Sequence, residues 1–165
     1  MSTLNKEALE ALYNHNNWAW ETICARIESA PEGSFLKDAP GSGWTSLRDC
    51  LGHICFGYDN WMSVIRGGEF TGTNLKDLNT LTEVTAHRTR LVAGMHAFIE
   101  QHSDDELAEI REFIVRGEPA RYSSGQLLAH ALLHERGHHG DVSTLFYQLS
   151  IPIPPMDFRW HLPPQ

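Results

Sequence analysis

Two histidines, His134 and His138, stand four residues apart in a stretch reading LLHERGHHGDV. On an α-helix that spacing stacks two imidazoles on one face, where the pair can close on a single metal ion. The same five residues spell H-E-x-x-H, the string of zinc proteases. A third reading carries no chemistry at all: two histidines satisfied by carbonyls, carboxylates or water. Ten histidines among 165 residues is a surplus that favours asking about metals.

The protease reading is the weaker one. It needs a further ligand after the helix, often a glutamate, and no glutamate follows Glu135. The longer form with a downstream glycine and histidine fails because Asp141 occupies the glycine position. Asp157 or His161 would have to substitute, without a supporting motif. Glu135 therefore reads as an exposed or interface carboxylate rather than a general base.

A metal site needs a donor from another element, because a straight helix cannot wrap around an ion. His130 extends the series but lies about 12 Å from His138 at 1.5 Å per residue. His53 is the better partner: it sits one turn after Asp49 and one before Gly57, whose missing side chain allows close approach. His15, His87 and His96 are weaker candidates. Cys50 could meet a soft metal, although a lone buried cysteine is more often core filler. Asp49 and Asp141 are the carboxylates that could orient a ligating histidine. Trp18, Trp20 and Tyr58 could wall a pocket, or simply fill the core.

The elements that must carry these residues are helical. Apolar spacing predicts a first helix over Thr3 to Ser29, stopped by Pro31 and Gly33. A second is capped by Thr45 or Ser46 and runs to about Arg66, ending at Gly67-Gly68. A third starts after Thr80 or Thr82 and reaches about His102. The fourth starts near Ser123 or Ser124 and reaches about Leu149, before Pro152, Pro154 and Pro155. Its inward stripe reads Leu127, Ala131, His134, His138, Val142, Leu145 and Leu149, which places both histidines on the core face. Between the third and fourth helices, EIREFIVRGEPARYSS suggests an extended excursion or a hairpin around a Gly-Glu-Pro turn. The tail carries Phe158 and Trp160, expected to pack back on the body. The whole reads as all-α, a four-helix bundle in one domain over residues 1–165.

Composition narrows the function classes. Hydrophobic residues make up 41% and charged residues 21%, an ordinary globular balance. A formal net charge of −8 repels a nucleic-acid backbone, so direct binding to DNA or RNA is disfavoured. No apolar run is long enough to span a bilayer, and the start MSTLNKEALEAL is not a secretory signal. Three cysteines without a C-x-x-C pair fit a reduced cytoplasm.

Three pieces in this order make a recognisable pattern: YNHNNWAWETI, SLRDCLGHICFGYDNWMSVI, and GEPARYSSGQLLAHALLHERGHHGDVSTLFYQLSIPIPPMDFRWHL. Over nearly its full length the chain resembles the DinB-like (DinB/YfiT) family of metal-binding four-helix proteins. The resemblance implies one divalent ion held by His53, His134 and His138, with zinc or nickel first and manganese or iron as alternatives. It also implies a homodimer and, for members of known activity, thiol-dependent transfer or isomerisation. The small-molecule partner would then be an electrophile, with a low-molecular-weight thiol as its attacker. Three neutral imidazoles leave an ion its full charge and one open position, the hallmark of a catalytic rather than a structural site. A metal- or ligand-binding protein without turnover is the alternative, and an H-E-x-x-H hydrolase the remote one. Family members often read H-x-x-H-H-R-G-Q where this chain has His139 and Asp141, so contacts at those positions are expected to differ.

Overall fold

The computed structural model describes residues 5–39, 43–68 and 77–161. Among them are six helices and one small antiparallel sheet: α1 (Lys6–Glu28), α2 (Leu47–Ile65), α3 (Leu81–Gln101), α4 (Asp104–Ala108), β1 (Ile110–Val115), β2 (Glu118–Ser123), α5 (Ser124–Gln148) and α6 (Phe158–His161). Side-chain caps set the starts of the long helices. Asn5, Ser46, Thr80 and Ser123 each accept a backbone N–H from the first turn. Thr80 with Glu83 and Ser123 with Gln126 close reciprocal capping boxes. The expected start of the first helix at Thr3 falls outside the described residues, as does most of the connection between α2 and α3.

The hairpin forms with a different turn from the one expected. Glu118 and Pro119 lie in β2, paired with Val115 and Ile114, and the turn is Arg116-Gly117. Both turn residues have positive φ, 55° and 85°, the geometry that joins two twisted strands with two residues. The short helix α4 was not anticipated; its capping box of Ser103 and Glu106 is the local cause. The tail docks in part: Phe158 meets the His15 ring edge-on at 5.1 Å, while Trp160 stays 56% exposed.

Helix α2 packs against α5 and α3, and α1 packs against the same two. The four helices bury matching rows: Leu9, Asn16, Trp20, Ile23 and Ile27 on α1; Leu47, Leu51, Ile54, Tyr58, Met62 and Ile65 on α2; Val84, Arg88, Val92, Met95 and Ile99 on α3. On α5 the row is Leu128, Leu132, Glu135, His139, Val142 and Phe146. The expected stripe holds at Leu127, Ala131, Val142 and Leu145, which are buried, and is corrected at its other three positions. His134 and His138 stand on the neighbouring row and are only half-buried, and so is Leu149. Adjacent residues are about 100° apart around a helix, so an apolar pattern wide enough to cover two rows does not say which is deeper.

Candidate metal centre

Helices α2 and α5 run antiparallel past one another. Cys50 lies beside the His138 carbonyl, Gly57 beside the His134 ring, and Trp61 beside the His130 ring. This crossing carries His53 to the α5 pair. Ring centroids are 5.1 Å apart for His53 and His134, 4.8 Å for His53 and His138, and 4.4 Å for His134 and His138. One nitrogen from each lies within 4.8 Å of the others, a group that could hold a metal ion. The Nε2 atoms of His134 and His138 are 3.2 Å apart. Zinc–nitrogen bonds of about 2.0–2.1 Å at tetrahedral angles put two donors roughly 3.4 Å apart, so the residues present fit such an ion.

His138 is held from behind. Its Nδ1 lies 2.8 Å from Asp141 Oδ2, which also accepts from the Trp44 indole N–H at 2.9 Å. A carboxylate can only accept, so Nδ1 carries the proton, and a neutral ring then keeps its lone pair on Nε2. Trp44 also packs on the site, 4.5 Å from the His53 ring and 5.4 Å from that of His138. Phe56 stacks on the outer side of His53 at 6.0 Å. Burial, followed by the neighbouring His138, His53 and His130, holds His134 down at about 4. Burial and then His138 lower His53 as well. Imidazoles that stay neutral near pH 7 are in the form a cation needs.

A second group, Cys50 with His138 and Asp141, also brings three donors within 4.8 Å. Its contact between His138 and Asp141 has the length and partners of a hydrogen bond. Burial, then Asp141 and Asp49, push the Cys50 thiol far up, away from the thiolate a soft ion would bind. The three-histidine group is the better built.

The remaining candidates lie elsewhere. His130 is exposed against Trp61, its ring 6.4 Å from His134. His15 is buried under the tail between Trp18, Phe158 and His161. His87 contacts Arg90, and His96 stacks on Tyr13. Asp49 is taken by the Ser46 cap and by Arg48. Trp20 and Tyr58 are core residues, and the aromatic wall is supplied by Trp44, which no periodicity marked because it precedes α2 in a loop.

Glu135 overturns its expectation most completely. It is fully buried, on the next row of α5, and bound by Arg88 through two parallel contacts of 3.0 Å. The Tyr58 hydroxyl donates to it, and His139 Nε2 lies 3.5 Å away. Asn16 and Asn17 complete the network through Tyr58 and Arg88. Burial alone would raise the Glu135 carboxyl, but Arg88 and His139 outweigh it and hold it at about 2. A carboxylate locked this way cannot serve as a general base beside the histidine pair. His139 is likewise a core residue and lines neither the histidine group nor an exposed surface.

Among the described residues, no helix is long and apolar enough to cross a membrane. A model of the DinB family matches residues 1–165, the whole chain. No curated protein matches it.

Proposed function

This chain belongs to the DinB family, and we propose that it uses His53, His134 and His138 to hold one divalent cation for chemistry on a small electrophile. The convergence of three ring nitrogens from two helices within 4.8 Å is the observation that carries this reading. Zinc and nickel suit three imidazoles best, with manganese or iron as alternatives. When bound, the cation supplies Lewis acidity at which a low-molecular-weight thiol is stabilised as its thiolate. The protein's own part is to keep the His53 and His134 rings neutral by burial, to fix His138 through Asp141 and Trp44, and to cover one side of the site with Trp44 and Phe56.

The four long helices, with their paired contacts, make one four-helix-bundle domain, and the family pattern adds a homodimer. Three free cysteines suit a reducing cytoplasm.

The test is chelator-stripped protein, produced without an affinity tag and reloaded with zinc, nickel, manganese or iron. Metal-dependent consumption of a thiol together with a model electrophile is the expected result. Stoichiometric, reversible binding with no turnover across thiol, ester and isomerisation substrates would replace the enzyme with a metal-binding protein. His134→Ala should remove stoichiometric binding by calorimetry; unchanged binding would sink the site assignment.

A further inference from the structure

Helix α2 brings a donor to the site at His53 and, one turn later, a gap at Gly57. The gap is occupied. A Cβ placed on Gly57 would stand 2.7 Å from both Cε1 and Nδ1 of His134, and 3.6 Å from its Nε2. Real Cβ atoms do not tolerate 2.7 Å, so the Nδ1 edge of the imidazole lies flat against bare backbone. Helix propensity argues for almost any other residue at this interior position, because glycine costs about 1 kcal/mol relative to alanine in a helix. The same is true of Gly137 and Gly140 on α5, but a Cβ there would meet nothing within 4 Å. Gly57 differs from them in having a specific side chain in the vacated volume.

We infer that Gly57 is the positioning residue for His134, seating its ring so that Nε2, and not Nδ1, is the nitrogen offered to the cation. The inference rests on the three-histidine reading and goes further than it. The two α5 histidines arrive at the same presentation by different means: His138 is turned by a hydrogen bond from Nδ1 to Asp141, His134 by steric contact along its Nδ1 edge. Their Nε2 atoms consequently face one another at 3.2 Å. Any side chain at position 57 pushes the His134 ring outward, and the three nitrogens no longer share one point.

The experiment has three arms, all on full-length protein. Zinc titration of the wild type by calorimetry comes first; absence of binding would overturn the metal reading, and this inference with it. Gly57→Ala is then compared with Gly140→Ala as a control for helix propensity. Gly57→Ala should bind zinc roughly 10–100-fold more weakly, the range for removing a group that orients a ligand, and its cobalt(II) visible spectrum should change. Gly140→Ala should match the wild type in both. Wild-type affinity and spectrum in a folded Gly57→Ala protein would overturn the inference while leaving the metal reading intact. The third arm needs no variant, so it stands even if Gly57→Ala fails to fold. Imidazole nitrogen NMR of the zinc-loaded wild type should show His134 ligating through Nε2 with its proton on Nδ1; ligation through Nδ1 would overturn the inference.

Discussion

Two polar clusters share α5 on neighbouring rows, and they differ in what faces what. In the buried one, Glu135 meets Arg88 of α3, Tyr58 of α2 and His139 of its own helix, so negative and positive groups answer each other. In the half-buried one, His53, His134 and His138 bring one ring nitrogen each within 4.8 Å of the others, and Asp141 is engaged behind His138. The first arrangement is closed around Glu135, although both ring nitrogens of His139 are buried without a hydrogen-bond partner. The second gathers three imidazoles with no acidic side chain among them, a group that could hold a metal ion. Sequence position hardly separates them, since Glu135 follows His134 directly and His139 follows His138. The pairing of opposite charges, present at Glu135 and absent among the three histidines, separates the two clusters.

The largest expected effect breaks the closed cluster. Arg88→Met leaves the Glu135 charge buried without its partner and should destabilise the fold by about 3–5 kcal/mol in urea denaturation. Zinc affinity of the molecules that remain folded should be unchanged. Adding Glu135→Leu to that variant should recover much of the loss, because an apolar pair can replace a buried ion pair. A loss below about 1 kcal/mol for the single variant would show that Arg88 does not compensate the buried Glu135 charge.

Asp141→Ala acts on the other cluster. Zinc binding should weaken roughly 10–100-fold, with little change in unfolding midpoint, because the lost contact orients a ligand instead of holding helices together. Equal affinity by calorimetry would leave His138 needing no support from behind.

Acid should separate the two clusters by pH. His15 and His134 sit near 4 in the fold against an ordinary 6.5, His15 chiefly through burial. Unfolded histidines therefore take up protons first, and stability of the metal-free protein should fall as pH drops from 6.5 to 4. Glu135, held at about 2 against an ordinary 4.5, contributes stability that is complete above 4.5 and lost as pH falls toward 2. Denaturation midpoints across this range should decline in those two windows. Arg88→Met should remove the lower decline and spare the upper.

The smallest effect tests the competing donor group. Cys50→Ala should cost about 1 kcal/mol of stability, typical of a buried substitution, and leave zinc affinity alone. A marked loss of affinity would bring Cys50 into the site.

Much of this was legible in one dimension because its causes are local. Ser46, Thr80 and Ser123 announce helix starts by offering an oxygen to the first turn, and Pro152, Pro154 and Pro155 bar α5 from continuing. The spacing of His134 and His138 needed only the pitch of a helix to be read as a pair. Gly57 marks a point of close approach in the sequence, but only the structure shows that the His134 ring is what approaches. Other features left no local trace. Arg88 and Glu135 are 47 residues apart, Trp44 and Asp141 are 97 apart, and neither pair obeys a period.

Sequence alone therefore determined where the long helices lie, which turns carry histidine, and that a second helix had to supply the third donor. The tertiary structure decided how α5 is rotated against its neighbours, and that rotation sent Glu135 and His139 inward and left His134 and His138 at the edge. The physical reason is that helical order comes from contacts three and four residues apart. Rotation about the helix axis comes from the partners it packs against, and here these are Arg88 on one side and the bare backbone of Gly57 on the other.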